Sequence, residues 1–173
     1  DYYLNDYQIF VECKAVELQA YPSINPTDEL LYNALKDSIL KAYFEQLLTV
    51  ADLINPNGDN WGIIITYKEL FWGDFTQLFE LGKDKYPTDK IISLNPENVF
   101  IIDIYTWNAI IQIIKDNKAS LLDILKIAKA NNTDIMTKKQ LFSMHLDRYH
   151  PMKINLDYLQ EEIKTLEVPG QYV

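Results

Sequence analysis

The 173-residue sequence predicts an α/β fold, with a mixed central sheet flanked by helices and a helical subdomain toward the C-terminal end. Three observations carry that expectation. The continuous apolar runs 61–66 and 98–104 read as strands buried on both faces, as the strands of a parallel sheet are. Segments of helical periodicity lie between and after these runs, so strand and helix alternate along the chain. Beyond about residue 119 the strand-like runs stop, and short helical patterns with polar connectors take over. The expected division is therefore an α/β core over 1–118 and a helical subdomain over 119–173.

The first element is a hairpin. Residues 7–16 are rich in β-branched and aromatic types and read as a strand. Side chains two apart share a face, so Ile9, Val11 and Cys13 line one apolar face, with Cys13 as a small buried hydrophobe. Phe10, Glu12 and Lys14 line the other. Asn5-Asp6 has turn chemistry. If it closes a two-residue hairpin, partners are residues whose numbers sum to eleven, and Asp1 stands roughly 7 Å diagonally from Glu12. Two carboxylates and an ammonium then converge on one patch. Such carboxylates repel each other and lose solvation. A divalent cation that prefers hard oxygen ligands and keeps several waters, Mg²⁺ or Mn²⁺, relieves both problems. Lys14 beside it would hold a water or stabilise charge on a transferring phosphoryl group. A Glu-x-Lys by itself reads more plainly as an amphipathic edge strand with solvated charges, and Asp1 at hairpin spacing is what favours a site.

The break between Pro22 and Pro26 precedes a long helix over Thr27–Ile54, opened by Asp28 and Glu29 where the helix dipole favours acids. Residues 55–60 end it with turn chemistry before the 61–66 strand. The aromatic segment 67–75, with Lys68, offers contacts to unpaired bases or a duplex backbone; packing of a helix on the sheet and a partner interface are the commoner uses of such a segment. Lys83, Lys85 and Lys90 around Pro87 form the best local phosphate-contact loop, against the plainer reading of a solvated loop. Asp103 closes the 98–104 strand as a solvated end residue or a lysine partner. A helix follows over 107–118, then a capping-box-like Ser120–Asp123 opening a helix over 120–130, with further helices over 137–148 and 155–166. His145 and His150 are five apart, which does not match the i, i+4 metal pair on one helix face.

Composition narrows the function. The content is that of an ordinary globular chain, 48% hydrophobic and 24% charged. No run of eighteen apolar residues and no basic region followed by an apolar stretch occurs, so neither a transmembrane helix nor a signal peptide is expected. The single Cys13 excludes an internal disulfide and suits a reducing compartment, the cytoplasm. The net charge of −9 argues against a phosphate-neutralising surface, and with Arg148 the only arginine, bidentate guanine readout is scarcely available. No P-loop, dinucleotide fingerprint, paired-cysteine motif or nucleophile elbow is found.

An Asp, about ten residues, then Glu-x-Lys at the end of an apolar strand, followed by a helix and two more core strands, resembles the PD-(D/E)xK nuclease superfamily over roughly residues 1–115. The resemblance implies the restriction-endonuclease-like fold. The proline, helix and first strand that precede the acid in that family are not in this sequence, which implies either a longer polypeptide, the favoured reading, or that Asp1 is not the family's acid. It further implies that Asp1 and Glu12 bind Mg²⁺, or Mn²⁺ as substitute, with the Cys13 carbonyl completing the ligand set. Lys14 would orient or activate the attacking water. Some nucleases of the family place a Gln on the long helix near the metal, which makes Gln46 a candidate against the plainer reading of a solvated helix face. The activity implied is hydrolysis of phosphodiester bonds in double-stranded DNA, as in the cleavage domain of a restriction enzyme. Type IIS cleavage domains cut without reading sequence, which suits the poverty in arginine, and a homodimer or a separate recognition domain would complete such an enzyme. Two alternatives stand beside it: a non-catalytic nuclease-like module that binds a protein partner, and a repair or junction-resolving nuclease of the same fold.

Overall fold

The computed structural model describes residues 2–4, 8–16, 27–70, 75–86, 93–139 and 141–149. Its centre is a four-stranded sheet: β1 (Tyr2–Leu4), β2 (Ile9–Lys14), β3 (Trp61–Thr66) and β4 (Val99–Asp103), in that spatial order. β1 pairs antiparallel with β2, and β2, β3 and β4 are parallel. The sheet is therefore mixed, as expected. Its hairpin register differs from the expected one. Tyr2 pairs with Val11 and Leu4 with Ile9, so partner numbers sum to thirteen, and residues 5–8 connect the strands instead of a two-residue turn. Gln8 accounts for part of the longer connection: it takes φ 53°, in the left-handed region that closes tight bends, and its carbonyl accepts from Trp61 N at 3.0 Å. Asn5, Asp6 and Asp1 lie outside the described residues.

The β2–β3 crossover is one long helical run. Thr27 caps it, accepting from Leu30 N at 3.3 Å, as expected of a helix opening there. The run begins as α1 (Asp28–Leu35), widens into π-helical turns over Lys36–Leu40 and Ala42–Leu47, and ends as α2 (Leu48–Ile54). Leu35, Ile39, Leu40, Tyr43, Phe44 and Leu47 bury a broad apolar face against Phe10, Ile64 and Ile101 of the sheet. The β3–β4 crossover carries a helix the sequence reading did not anticipate, α3 (Thr76–Gly82). Phe75 and Leu78 fill the same core, and the Phe75 ring lies 4.5 Å from that of Tyr43. Phe75 is thus a packing residue, and Phe71 and Trp72 of the aromatic segment lie outside the described residues.

The other face of the sheet is covered by α4 (Ile104–Lys115) and α5 (Leu121–Thr133). Ile110, Ile113, Ile124, Leu125 and Phe142 pack there against Ile9, Ile63 and Phe100. α4 begins at Ile104, directly after β4, and not at the expected 107, because Asp103 caps it. The capping box at Ser120 and Asp123 is formed in full. The helix expected over 137–148 is instead a turn followed by two short 3₁₀ turns, Phe142–His145 and Asp147–Tyr149. That segment has to place Phe142, His145 and Leu146 inward while Met144 stays 41% exposed, and brief i→i+3 turns do so. The helix expected over 155–166, and His150, lie outside the described residues. Helices thus cover both faces of a small parallel sheet, the α/β class read from strand–helix alternation.

Candidate functional site

In parallel α/β sheets, ligand sites gather beyond the carboxyl ends of the strands. β2 reaches that end carrying Glu12, Cys13 and Lys14. Register places Glu12 beside Ile64, and Ile64 beside Ile101; in the next row Lys14 stands beside Thr66, and Thr66 beside Asp103. Glu12 and Lys14 share the face that lies under the long helical run, and the segment Ala42–Leu47 packs on β2.

Glu12 is only 5% exposed. A carboxylate that deep needs a partner, because desolvation of an unpaired charge costs several kcal/mol, on the order of the figures for buried ions. Lys14 supplies one: its Nζ lies 2.6 Å from Glu12 Oε1, and its side chain keeps 21% of its surface in water. The carboxylate is only half satisfied. Glu12 Oε2 is buried and, among the described residues, accepts no hydrogen bond. Gln46, in the π-helical segment that packs on β2, likewise holds its Oε1 buried without a partner. The expected alternative for Gln46, a solvated helix face, is therefore not what the structure shows: the residue is half-buried with its carbonyl oxygen turned away from water. Each unsatisfied acceptor costs about 1–3 kcal/mol. Both atoms are hard oxygens, the donor type that Mg²⁺ and Mn²⁺ take.

The other candidates separate. Cys13 was expected to face the core, and it is exposed: β2 runs past its helical cover at this point, so the inward alternation of Ile9 and Val11 does not extend to it. Its thiol points away from the Glu12 face, and only its main chain adjoins the pair. Asp1, the second carboxylate of the sequence reading, lies outside the described residues. Among the described residues, no group of three or more His, Cys, Asp or Glu is placed to hold a metal ion. Lys83 is paired with Glu80, and Lys85 sits 6.0 Å above the Tyr32 ring; Lys90 lies outside the described residues.

Asp103 was read as a solvated end residue or a lysine partner, and it is neither. It is 8% exposed and accepts from Tyr105 N at 2.9 Å, Thr106 N at 3.1 Å and the Thr106 hydroxyl at 2.5 Å. The signal was present in Asp103-x-x-Thr106 at a strand-to-helix junction, an N-cap pattern. His145 belongs to the opposite face. Burial pushes its pKa down to about 4, its Nδ1 meets Asn131 Nδ2 at 3.1 Å, and its ring packs edge-on to Phe142. A separate polar cleft of about 220 Å³ opens beside the start of β4, lined by Thr76, Glu97, Lys129 and Asn132. Lys129 is already engaged there by Asn98 Oδ1 at 2.6 Å and Glu97 at 3.7 Å.

No protein-family model, curated protein or solved structure matches the chain. No helix among the described residues is long and apolar enough to cross a membrane.

Proposed function

We propose that the chain is the catalytic part of a metal-dependent DNA endonuclease of the PD-(D/E)xK type, the cleavage domain of a restriction enzyme. One observation carries this reading. A buried carboxylate at the carboxyl end of a parallel strand keeps one oxygen on Lys14 and turns the other, unsatisfied, into the protein. Leaving that oxygen unpaired costs about 1–3 kcal/mol, which a bound cation would offset. The parallel β2–β3–β4 arrangement with helices on both faces is compatible with the restriction-endonuclease-like fold.

In this reading Glu12, the Cys13 carbonyl and Asp1 would hold Mg²⁺ or Mn²⁺. The cation would supply Lewis-acid stabilisation of charge on the phosphoryl oxygens. Lys14, held by Glu12 and with part of its side chain in water, would position a water for in-line attack and donate to a phosphate oxygen. The reaction is hydrolysis of a DNA phosphodiester bond.

The test is nicking of supercoiled plasmid in Mg²⁺ or Mn²⁺ by the full-length polypeptide, against Lys14→Ala, Glu12→Gln and an EDTA control. Metal-dependent cutting that both variants lose supports the proposal. Absence of cutting by the wild type on plasmid and on branched DNA refutes it. The net charge of −9 favours one other reading, a non-catalytic module of the same fold that binds a basic protein partner. A repair or junction-resolving nuclease shares the chemistry proposed here and differs in substrate.

A further inference from the structure

α4 carries two apolar stripes, and the core takes only one of them in full. Ile110 and Ile113 are buried against the sheet. About a third of a turn round the helix, Ile104, Trp107, Ile111 and Ile114 recur at the 3-4-3 spacing of a single face. Ile104, Trp107 and Ile111 are half-buried there, and Ile114 is 36% exposed. A contiguous row of large apolar side chains left part-open in water marks a contact surface.

The same sequence holds a segment that matches it. The helix expected over 155–166, outside the described residues, would place Leu156, Leu159, Ile163 and Leu166 on one face at the same 3-4-3 spacing, with Asp157, Glu161, Lys164 and Thr165 on the opposite face. α4 has 12 residues and the expected helix is equally long, about 18 Å each. The tether fixes the direction. Tyr149, the last described residue, packs on the core beneath α4, and its carbonyl accepts from Lys118 Nζ at 3.3 Å, just past the end of α4 at Lys115. Residues 150–154 then span up to roughly 20 Å, so the segment enters at the C-terminal end of α4 and runs back along it. In that antiparallel direction Leu156 would meet Ile114, Leu159 would meet Ile111, Ile163 would meet Trp107 and Leu166 would meet Ile104. The two stripes stay in step over the whole length because each spacing is the mirror of the other. Asp157 and Glu161 would fall toward the end of α4 that carries Lys115, a modest further attraction. We propose that residues 155–166 dock as an antiparallel helix on the Ile104–Ile114 stripe of α4, so that the chain closes this face itself and does not offer it to a partner. The inference stands apart from the nuclease reading, since the stripe and the tether involve neither Glu12 nor Lys14.

The test is disulfide trapping in the full chain with Cys13→Ser, which removes the one native thiol. Ile111→Cys is paired with Leu159→Cys on the expected contact, and with Glu161→Cys on the far side of the same helix. Under mild oxidation the first pair should close within one chain and the second should not, read by non-reducing electrophoresis and intact mass. Circular dichroism confirms that the variants fold. A separate measurement needs no new cysteine: Leu159→Asp should lower Tm by about 3–10 °C, the loss of one buried leucine, while Glu161→Ala leaves it unchanged. Equal trapping of the two pairs shows a segment with no fixed seat and overturns the proposal. So does trapping between chains, which assigns the stripe to a second copy, and so does failure of the first pair to close together with an unchanged Tm in Leu159→Asp.

Discussion

Removing the Lys14 ammonium isolates the Glu12 carboxylate, and the size of the effect follows from the two burials. The pair is 2.6 Å apart, with side-chain exposures of 21% for Lys14 and 6% for Glu12. Breaking a fully buried pair costs about 3–5 kcal/mol, whereas exposed pairs contribute about 0.2–1 kcal/mol. This pair has one dry end and one wet end, so Lys14→Ala should cost about 2 kcal/mol, a fall in Tm of about 4–8 °C for a chain this long. Glu12→Gln should cost less, because Lys14 can turn its ammonium into water. The double variant should be more stable than the sum of the two losses predicts, since neither leaves a lone charge behind; the expected coupling is about 1–2 kcal/mol. Thermal melts by circular dichroism measure all four corners of the cycle. Repeating them in Mg²⁺ adds the functional arm. A cation held by Glu12 raises Tm by mass action, more in Lys14→Ala than in the wild type, and not in Glu12→Gln. Losses that add within about 0.5 kcal/mol would refute the pairing argument. A Mg²⁺ shift that survives Glu12→Gln would refute Glu12 as the ligand.

Asp103→Ala removes the cap of α4 and leaves the buried Thr106 hydroxyl without its acceptor; the expected loss is about 2–3 kcal/mol, read as a lower urea midpoint with unchanged m. Tyr43→Phe strips the hydroxyl that donates to Leu94 O at 2.7 Å and leaves that buried carbonyl unpaired, so stability should drop by about 1–2 kcal/mol in the same titration. His145 sits below its ordinary pKa because burial disfavours the imidazolium, so the unfolded chain takes up its proton first. The stability it contributes is complete above about pH 6.5 and is lost as pH falls toward about 4; melts of His145→Gln across that window should show a flatter profile than the wild type. Gln46→Met should leave Tm unchanged or raise it, because the buried Oε1 has no partner to lose, and should weaken metal-dependent cutting if that oxygen serves the site.

Local pattern was enough for the elements whose signals are short-range. The apolar runs at 61–66 and 99–103 read as strands covered on both sides, Thr27 marked the start of the long helix, and Ser120 with Asp123 marked α5. The pattern failed where several structures fit the same residues. The hairpin register was not legible: Gln8 takes a left-handed conformation for which it carries no sequence signal. The 141–149 segment has apolar spacing that a helix or 3₁₀ turns can satisfy, and packing of Phe142 against Phe100 selected the turns.

The same division holds for the site. Residue types and spacing by themselves determined that Glu12 and Lys14 share one face near the end of a strand, because alternation is a property of any extended chain. They did not determine that this end would lie at the carboxyl edge of three parallel strands, that Gln46 would bury an unsatisfied oxygen above β2, or that Cys13 would escape the core. Those depend on how far the helices on each face extend over the sheet and on which strands become neighbours. Both are set by contacts between residues remote in sequence, and it is burial created by those contacts that turns Glu12 from a solvated acid into a carboxylate with one oxygen left to satisfy.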